Sequence, residues 1–418
     1  MSISIRETGT AGSSTNGGLA VAASGSLPPL SLYIHFPWCV AKCPYCDFNS
    51  HALREALPEA RYIDALLADA AVQAPRVAGR SIETVFLGGG TPSLFPPAAL
   101  GRLLERLRAS LGFSSATEVT LEANPATVER GRFAEYAAAG INRVSLGAQS
   151  FDSETLRVLG RIHQPSDVFR AAEELHAANL ANFNLDLMFA LPDQDVAGAL
   201  ADLVTALSLQ PAHLSHYQLT LEPGTLFAAQ PPPLPDQDLA WDMQAACHAV
   251  LAARGFAQYE VSAFARSGRQ CRHNLNYWRF GDYLGIGAGA HGKLTRHAGG
   301  GLTIERSTHL REPRRYFASA AGGPEWRTIP AADLPFEFAM NQLRLNEPFD
   351  VATFSARTGL PAQRIAAPLA ALEGRGLLAR SPALVGNVWQ VTARGRELLN
   401  DVVQSFLPTT NFDAAAGI

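Results

Sequence analysis

The chain has 418 residues, which is enough for a large hydrophobic core and for more than one domain. Its 34 lysines and arginines stand against 38 aspartates and glutamates, and the formal net charge of -4 leaves no electrostatic footprint for nucleic acid. No apolar run approaches the length of a membrane span, and there are only five cysteines. We therefore expect a cytoplasmic protein in a reducing environment, either free in solution or peripheral to the membrane.

The first 29 residues are rich in Gly, Ser, Thr and Ala and contain one short apolar patch at residues 19–23. That patch is too short, and its flank carries too little positive charge, for a signal peptide. A segment of this composition buries too little apolar surface to fold. The sequence therefore predicts a disordered tail over residues 1–29.

Three of the five cysteines lie close together in the stretch YIHFPWCVAKCPYCDFNSH, at residues 33–51. Their spacing would place Cys39, Cys43 and Cys46 on one helical face, but Pro44 would break such a helix, which argues against a packing role. An odd cluster in a chain with so few cysteines does not pair into disulfides. Metal binding by thiolates is the better interpretation.

Two kinds of metal site could use these thiolates. A structural zinc site needs a fourth ligand, which His35 or His51 could supply. A four-iron cluster held by only three thiolates keeps one iron open, as catalytic metal sites do. We favour a [4Fe–4S] cluster with an open iron, and the C-x3-C-x2-C spacing resembles the signature of the radical S-adenosylmethionine enzymes.

Beyond the cysteines, short apolar runs alternate with amphipathic helical patterns. The runs begin near residues 32, 83, 118, 142, 183 and 213, and Leu100, Leu103, Leu104 and Leu107 mark one face of an intervening helix. Strands separated by helices imply right-handed crossovers and a parallel sheet. Six such units predict an α/β fold, an open partial (β/α)6 barrel over residues 30–265, with its chemistry at the strand ends.

Distinctive residues follow these predicted strands. The turn at residues 88–93, GGGTPS, would let a ligand approach bare backbone, although it could also be a simple tight turn. The third run ends at Glu122, which could be merely solvated. The fourth ends at Gln149, with Arg161 beyond the next helix. The fifth carries Asp186 among apolar neighbours, where it either caps a loop or binds a ligand.

Taken in chain order, the three cysteines, the glycine turn and the residues at the later strand ends resemble the coproporphyrinogen-oxidase-like branch of the radical S-adenosylmethionine proteins. The resemblance extends from about Leu32 to residue 400. By that resemblance, Cys39, Cys43 and Cys46 hold a [4Fe–4S] cluster whose open iron binds S-adenosylmethionine. An electron donor such as flavodoxin or ferredoxin would supply the reducing electron. The residues implied to contact S-adenosylmethionine are Tyr33, Gly89 and Glu122, and those implied to line a second ligand site are Tyr45, Gly90, Thr91, Gln149, Arg161 and Asp186.

Two departures from the oxidase pattern put decarboxylation of coproporphyrinogen III in doubt. Phe48 stands where the oxidase has a further cysteine, and only the Ser/Gly-rich tail precedes Tyr33. Both features resemble the haem chaperones of the HemW group. That resemblance implies haem as a third cofactor, and haem-accepting proteins, including membrane-associated respiratory subunits, as partners.

A second stretch, CRHNLNYW at residues 271–278, matches a motif of that group within a predicted extension over residues 266–332. His273 could supply an axial ligand to haem iron, and Tyr277 and Trp278 could supply flat apolar faces. The alternative is that these aromatic residues pack as ordinary core. We retain all three as candidate haem-binding residues.

The last part of the chain, residues 333–405, has helical patterns followed by a short β excursion, which predicts a small winged-helix-like domain before a tail at 406–418. Its arginines are scattered among carboxylates, so we expect a docking surface or lid rather than nucleic-acid binding. The leading function is haem delivery. The alternatives are oxygen-independent coproporphyrinogen III oxidation, or radical chemistry on another tetrapyrrole or an unrelated substrate.

Overall fold

The computed structural model describes residues 26–127, 132–381 and 386–408. Most of the two predicted tails, residues 1–29 and 406–418, lies outside these ranges. Phe406 is described, and it is buried in a hydrophobic cluster of the C-terminal unit. The folded part of the chain therefore extends at least one residue past the predicted boundary at 405.

Most of the described chain is organised by one large sheet. In chain order, the strands up to residue 328 are β1 (Leu30–Phe36), β2 (Trp38–Cys39), β3 (His51–Ala52), β4 (Ile82–Gly89), β5 (Glu118–Ala123), β6 (Arg143–Gln149), β7 (Phe183–Phe189), β8 (His213–Gln218), β9 (Ala257–Glu260), β10 (Ala263–Ala265), β11 (Asp282–Ile286), β12 (His291–Ala298), β13 (Gly301–Thr308) and β14 (Glu325–Thr328). All except β2 and β3 form a 12-stranded sheet in the order β14-β13-β12-β11-β1-β4-β5-β6-β7-β8-β10-β9.

The centre of this sheet is parallel, from β11 through β1 and then from β4 to β8. Strands β1, β4, β5, β6, β7 and β8 coincide with the six apolar runs, which confirms the predicted open α/β barrel. Strand β11 is a further parallel strand that was not predicted, because it lies in a glycine-dense run without clear periodicity. The strands of the predicted extension at 266–332 therefore continue the barrel sheet.

Glycines in that run allow the backbone to pack closely against β1. A Cβ on Gly285 would lie 2.0 Å from the carbonyl oxygen of His291, and one on Gly287 would lie 2.4 Å from that of His35. The Tyr62 hydroxyl donates to the His35 carbonyl over 2.6 Å and accepts from the amide of Ala288 over 3.1 Å. The glycines therefore let this segment pack directly against the backbones of both β1 and β12.

Helices cover the parallel strands. They are α1 (Glu59–Gln73), α2 (Pro97–Leu111), α3 (Arg132–Ala138), α4 (Ser153–Val158), α5 (Pro165–Ala177), α6 (Val196–Ser208), α7 (Leu226–Ala229), α8 (Gln237–Ala253), α9 (Arg272–Trp278) and α10 (Pro313–Ser319). In α2 the predicted leucine stripe is buried, and Gly112, with a φ of 67°, ends the helix in the left-handed conformation. Within the described ranges, no helix is long and apolar enough to cross a membrane.

The C-terminal unit has its own hydrophobic core. Its elements are α11 (Leu334–Gln342), β15 (Phe349–Asp350), α12 (Val351–Thr358), α13 (Gln363–Gly374), β16 (Leu378–Arg380), β17 (Val388–Val391), α14 (Ala393–Glu397) and α15 (Leu399–Gln404). The three strands form an antiparallel sheet in the order β15-β17-β16, as a winged-helix-like domain requires. Phe280 and Ile304 from the barrel side join this core and attach the unit to the sheet.

Candidate functional site

The three clustered cysteines lie in a loop that is closed at its base by the β2–β3 ladder. The amide of Leu53 donates to the Cys39 carbonyl over 2.8 Å, and within the loop the amide of Cys46 donates to the Cys43 carbonyl over 3.2 Å. None of the three thiols is in a disulfide, and each residue is half-buried. Burial raises the pKa of the Cys39 and Cys46 thiols, so metal binding here would release protons.

A cavity of about 160 Å³ opens beside this loop, at the carboxyl ends of the parallel strands. That edge is where open α/β sheets place their ligands. The cavity brings together every residue predicted for the cluster, S-adenosylmethionine and the second ligand, with the exception of Tyr33. Its predicted lining residues are Cys39, Cys43, Tyr45, Cys46, Gly89, Gly90, Thr91, Glu122, Gln149, Arg161 and Asp186.

The glycine turn after β4 is packed against the chain that leads into the cysteine loop. Gly89 has a φ of 113°, and a Cβ there would lie 2.5 Å from Cε1 of His35. A Cβ on Gly90 would lie 2.5 Å from the Trp38 carbonyl oxygen. The amides of Gly90 and Thr91 donate to the carbonyls of Phe36 and Trp38, each over 2.7 Å. The two segments that would hold the cluster and its ligand are therefore fixed to each other.

Tyr33 lies beneath the cavity rather than on its surface. Its hydroxyl is 2.9 Å from Nδ1 of His35, and Nε2 of His35 is 2.9 Å from the Asn49 carbonyl oxygen. Both ring nitrogens of His35 are therefore engaged within the protein, which disfavours the zinc alternative that used this histidine. Among the described residues, no three His, Cys, Asp or Glu side chains form a site for a single metal ion.

Glu122 is a half-buried carboxylate with few hydrogen-bond donors around it among the described residues. Its Oε2 accepts a hydrogen bond from the Gly89 amide over 3.0 Å. Burial, and secondarily the charge of Asp186, raise the pKa of Glu122 to about 7, although the Gly89 bond opposes this. A ligand hydroxyl that donates to this carboxylate would favour its ionised form.

Asp186 is held from below by two polar side chains. Its Oδ1 accepts from Nδ2 of Asn184 over 2.8 Å, and its Oδ2 accepts from the Ser145 hydroxyl over 3.1 Å, while the nearby Ser215 hydroxyl donates to Oδ1 of Asn184 over 3.2 Å. Burial raises the pKa of Asp186, while the polar side chains of Ser215, Asn184 and Ser145 and the charge of Arg143 oppose that rise. Asp186 is therefore fixed in place, and it does not serve as a loop cap.

Gln149 and Arg161 offer hydrogen-bonding atoms that the described protein leaves unused. Gln149 has a φ of 59°, a strained conformation for a residue with a side chain, and its buried Oε1 has no partner among the described residues. Arg161 donates to the Gly147 carbonyl over 3.1 Å and approaches the Cys43 sulfur at 3.6 Å, but its buried Nε has no described partner. The cavity therefore offers three thiols for a metal cluster. Beside them it offers two carboxylates and the unpartnered atoms of Gln149 and Arg161, which suit a polar, partly cationic ligand.

Sequence reasoning missed several lining residues, among them Asn124, Ser145, Gly147 and Tyr217. Tyr217 lies near the end of β8, and burial is the main factor that raises its pKa. Ser145 and Gly147 alternate with apolar residues along β6, and this alternation was the signal that their side of the strand faces the interior.

The stretch CRHNLNYW, in which residues 273–278 form the pattern HNxxYW, lies at the amino-terminal ends of the strands, opposite the cavity. His273 is only 2% exposed. Its Nδ1 is 2.8 Å from the hydroxyl oxygen of Thr84, near the start of β4, and its amide donates to Glu118, at the start of β5, over 3.1 Å. Helix α9 therefore closes the base of the barrel, whereas the cysteines lie at its mouth.

At this base, the three candidate haem residues are engaged in packing. The His273 ring lies between those of Phe86 and Tyr277, each with a centroid 5.1 Å away, and the Tyr277 ring stacks on Tyr283 at 4.1 Å. The guanidinium of Arg344 covers the Trp278 ring at 4.4 Å. Burial lowers the pKa of His273 to about 3, so the imidazole is neutral. Haem ligation by His273 stays a prediction.

The chain matches the family profile of the Radical SAM superfamily over residues 33–203 and that of the HemN C-terminal domain over residues 329–398. It is 49% identical over 386 residues to "Heme chaperone HemW" of Escherichia coli K12, covering 91% of this chain and 99% of that one. The protein of the same name from Haemophilus influenzae is 45% identical over 385 residues, covering 91% and 98%. The solved structure of E. coli coproporphyrinogen III oxidase (HemN), titled a radical SAM enzyme, superposes with a TM-score of 0.76 at 25% identity, covering 93% and 92%.

Proposed function

The chain belongs to the HemW family of radical S-adenosylmethionine proteins, and on that basis we propose that it is a haem chaperone. In this proposal it binds a [4Fe–4S] cluster and S-adenosylmethionine at the barrel mouth and transfers haem to acceptor proteins such as respiratory haemoproteins. The observation that carries the cofactor assignment is the single cavity that gathers three thiols, a glycine turn and two carboxylates. The names of the relatives support the haem assignment.

We assign Cys39, Cys43 and Cys46 as the cluster ligands. When bound, the cluster and S-adenosylmethionine supply reductive cleavage of a sulfonium, driven by an electron from a donor such as flavodoxin or ferredoxin. The protein's own residues bind and orient. The turn at Gly89 and Gly90 lines the cavity with backbone and would hold the ligand against it, while the absence of side chains there leaves room for His35 and the Trp38 carbonyl.

The remaining lining residues would recognise the polar parts of the ligand. Glu122 would accept hydrogen bonds from ribose hydroxyls, which its single protein donor leaves it free to do. Asp186 would attract a cationic group of the ligand in this partly enclosed cavity. Gln149 and Arg161 would bond through the buried atoms that have no described partner.

For haem, we propose contact with helix α9. In His273, Nδ1 bonds to Thr84, while the buried Nε2 has no described partner, and burial keeps the ring neutral as a metal ligand must be. Because Phe86 and Tyr277 cover the ring, α9 must move for iron to reach Nε2. A cleft of about 540 Å³ beside α9 is lined by three arginines that suit a haem carboxylate, Arg272, Arg279 and Arg357, and also by Glu83, Glu347 and Asp350.

Phe48 bears on the choice between chaperone and oxidase. Its side chain lines the rim of the cavity and the residue is 60% exposed, so an apolar ring stands where a thiol would be reactive. Haem-accepting partners, peripheral contact with membrane-bound acceptors and a cytoplasmic location belong to the same proposal.

The test is to reconstitute the protein anaerobically and to assay iron, S-adenosylmethionine cleavage and haem binding on one preparation. We expect about four irons per chain, formation of methionine and 5′-deoxyadenosine under strong reduction, and a stable haem spectrum. Zinc in place of iron, without charge-transfer absorption, would contradict the cofactor assignment. Absence of haem binding by the cluster-loaded protein would contradict the chaperone assignment.

A further inference from the structure

A continuous row of hydrogen-bonded side chains runs through the barrel interior, from the base to the cavity. It begins at Tyr259, whose hydroxyl is 2.8 Å from Nε2 of His213, and continues from Nδ1 of His213 to Oδ1 of Asn184 over 2.6 Å. Nδ2 of Asn184 then lies 2.8 Å from Oδ1 of Asp186 and 2.7 Å from the Ser145 hydroxyl. His213 and Asn184 are each about 1% exposed, so water does not compete along this row.

The direction of every bond in the row follows from the chemistry of its members. Both hydrogens on Nδ2 of Asn184 are used, by Ser145 and Asp186, so its Oδ1 must accept. His213 therefore carries its proton on Nδ1 and accepts at Nε2 from the Tyr259 hydroxyl. The Tyr259 oxygen in turn accepts from the amide of Cys271 over 3.3 Å.

All donors consequently point toward the Asp186 carboxylate, and a row polarised in one direction strengthens each bond in it. Burial lowers the pKa of His213 well below its usual value, with the charge of Arg143 adding to the effect, so the imidazole stays neutral. A neutral imidazole with one fixed donor and one fixed acceptor can hold the Asn184 amide in a single orientation. A flipped amide would present its NH₂ to the Nδ1–H donor and its oxygen to the carboxylate.

We propose that His213 is a positioning residue which, through the Asn184 amide, holds the Asp186 carboxylate ionised and oriented toward a cationic group of the ligand in the cavity. This inference rests on the proposed function, because it takes S-adenosylmethionine, with its ammonium and sulfonium groups, as the ligand. His213 itself does not line the cavity and acts only through its neighbours.

The chain offers a matched control on the same strand. His216 is also buried, but neither of its ring nitrogens has a partner in the described part of the chain, and its ring stacks on Phe189 with the centroids 4.7 Å apart. Replacing His216 removes a buried imidazole from β8 without touching the row.

The experiment measures the dissociation constant of S-adenosylmethionine on anaerobically reconstituted full-length protein, with iron content and melting temperature as checks on folding. His213→Leu removes the shorter of the two bonds to Oδ1 of Asn184 and leaves the Ser215 hydroxyl, which donates over 3.2 Å; we expect affinity to fall about tenfold at unchanged iron content. His213→Asn places an amide N–H near the position of Nδ1 and should restore most of the affinity. His216→Phe should bind like the wild type.

A double variant distinguishes positioning of Asp186 from a general structural role of His213. The measured quantity is the loss of affinity for S-adenosylmethionine in the double variant compared with the single ones. Because His213 acts through Asp186, His213→Leu should add little to the loss already caused by Asp186→Asn. If His213→Leu fails to retain iron, Tyr259→Phe takes its place, since it removes the donor to His213 Nε2 while preserving volume. A smaller loss of affinity is then expected.

The outcomes separate this inference from the proposed function. Wild-type protein that does not bind S-adenosylmethionine would contradict the proposed function. Wild-type binding with undiminished affinity in folded His213→Leu, or in Tyr259→Phe when that variant is used instead, would overturn the positioning role alone. Equal losses in His213→Leu and His213→Asn, or full additivity with Asp186→Asn, would also overturn it.

Discussion

The base of the barrel contains a buried carboxylate and the mouth contains half-buried ones, and the two ends differ in how many hydrogen-bond donors surround them. At the base, Asp282 accepts from Nζ of Lys293 and from the Thr295 hydroxyl and amide, and it pairs with Arg80, all within 3.0 Å. At the mouth, Glu122 has one protein donor, and its pKa is raised to about 7.

This contrast distinguishes structural from ligand-binding polarity. A buried charge that is saturated with partners is tolerated by the fold and becomes costly when a partner is removed, whereas an under-satisfied one is costly unless a ligand completes it. Gln149 and Arg161 follow the same pattern at the mouth, each with a buried atom lacking a described partner. The base is not free of such atoms, because Nε2 of His273, Nε1 of Trp278 and Nε of Arg143 also lack a described partner, so the contrast holds for the carboxylates and not for every polar group.

The largest effect should come from the cysteines at the mouth. Replacing Cys39, Cys43 or Cys46 singly with alanine should abolish loading of the four-iron cluster, because three thiolates are the minimum set of protein ligands. Cys247→Ala and Cys271→Ala, which alter buried thiols outside the cavity, should leave the iron content unchanged. Normal loading in any variant of the first group would contradict the assignment of that cysteine.

At the base, breaking the saturated site should destabilise the fold. Lys293→Met leaves Asp282 with fewer partners and should lower the free energy of unfolding by about 3–5 kcal/mol, measured by urea denaturation. The exposed Arg157–Glu154 pair is the control, and Arg157→Ala should change the stability little. If Lys293→Met proves as harmless as Arg157→Ala, the Asp282 site is not structural.

Much of the mouth can be predicted from the sequence, because its determinants are local. The cysteine spacing, the turn at residues 88–93 and the strand-end residues Glu122, Gln149 and Asp186 are read from short stretches, and parallel strands bring their carboxyl ends together. The six apolar runs likewise predicted six of the parallel strands.

The base could not be predicted in the same way, because long-range packing determines it. Strand β11 pairs with β1 across about 250 residues of chain, and nothing local to its glycine-dense run indicates that partner. The HNxxYW stretch reads equally well as a ligand site or as core, and only the contact of His273 with Thr84 places it at the amino-terminal ends of the strands. Alternation along β7 and β8 also gave no sign that His213 would bond to Asn184.

A moderate effect is expected when the under-satisfied carboxylate at the mouth is removed. Glu122→Ala should weaken binding of S-adenosylmethionine by about 1.5–3 kcal/mol, because hydrogen bonds involving a charged group are lost. Equilibrium dialysis on cluster-loaded protein measures this, with Asp236→Ala, at an exposed helix cap, as the control. Unchanged affinity would show that Glu122 is not part of the ligand site.

The raised pKa of Glu122 predicts how the free energy of unfolding depends on pH when no ligand is bound. The folded protein keeps a proton on Glu122 up to a pKa of about 7, whereas the unfolded chain releases it near 4.5. The folded state therefore binds more protons in this window, and the free energy of unfolding should fall as pH rises through it, by roughly 2 kcal/mol. Glu122→Gln should flatten this fall in urea titrations on either side of the window. A wild-type curve of the same shape as that of the variant would contradict the raised pKa.

The smallest expected effect concerns His273, whose buried Nε2 has no described partner. His273→Ala should alter the haem absorption spectrum and weaken haem binding, and it should also destabilise the fold by about 1–3 kcal/mol because Thr84 loses a partner. His176→Ala, which changes a half-exposed histidine on α5, is the control for haem bound nonspecifically. An unchanged spectrum in His273→Ala would end the ligand assignment while leaving the chaperone proposal open.

We propose that the mouth holds a radical S-adenosylmethionine site in a protein that delivers haem. The decisive experiment has two anaerobic incubations of the cluster-loaded protein. In one, the haem-bound protein is mixed with an apo-haemoprotein; in the other, the protein is mixed with coproporphyrinogen III, S-adenosylmethionine and reductant. We predict transfer of haem to the acceptor and no decarboxylated product. Protoporphyrinogen formed in a reaction that depends on the cluster and S-adenosylmethionine, without haem transfer, would contradict the account and identify the protein as an oxidase.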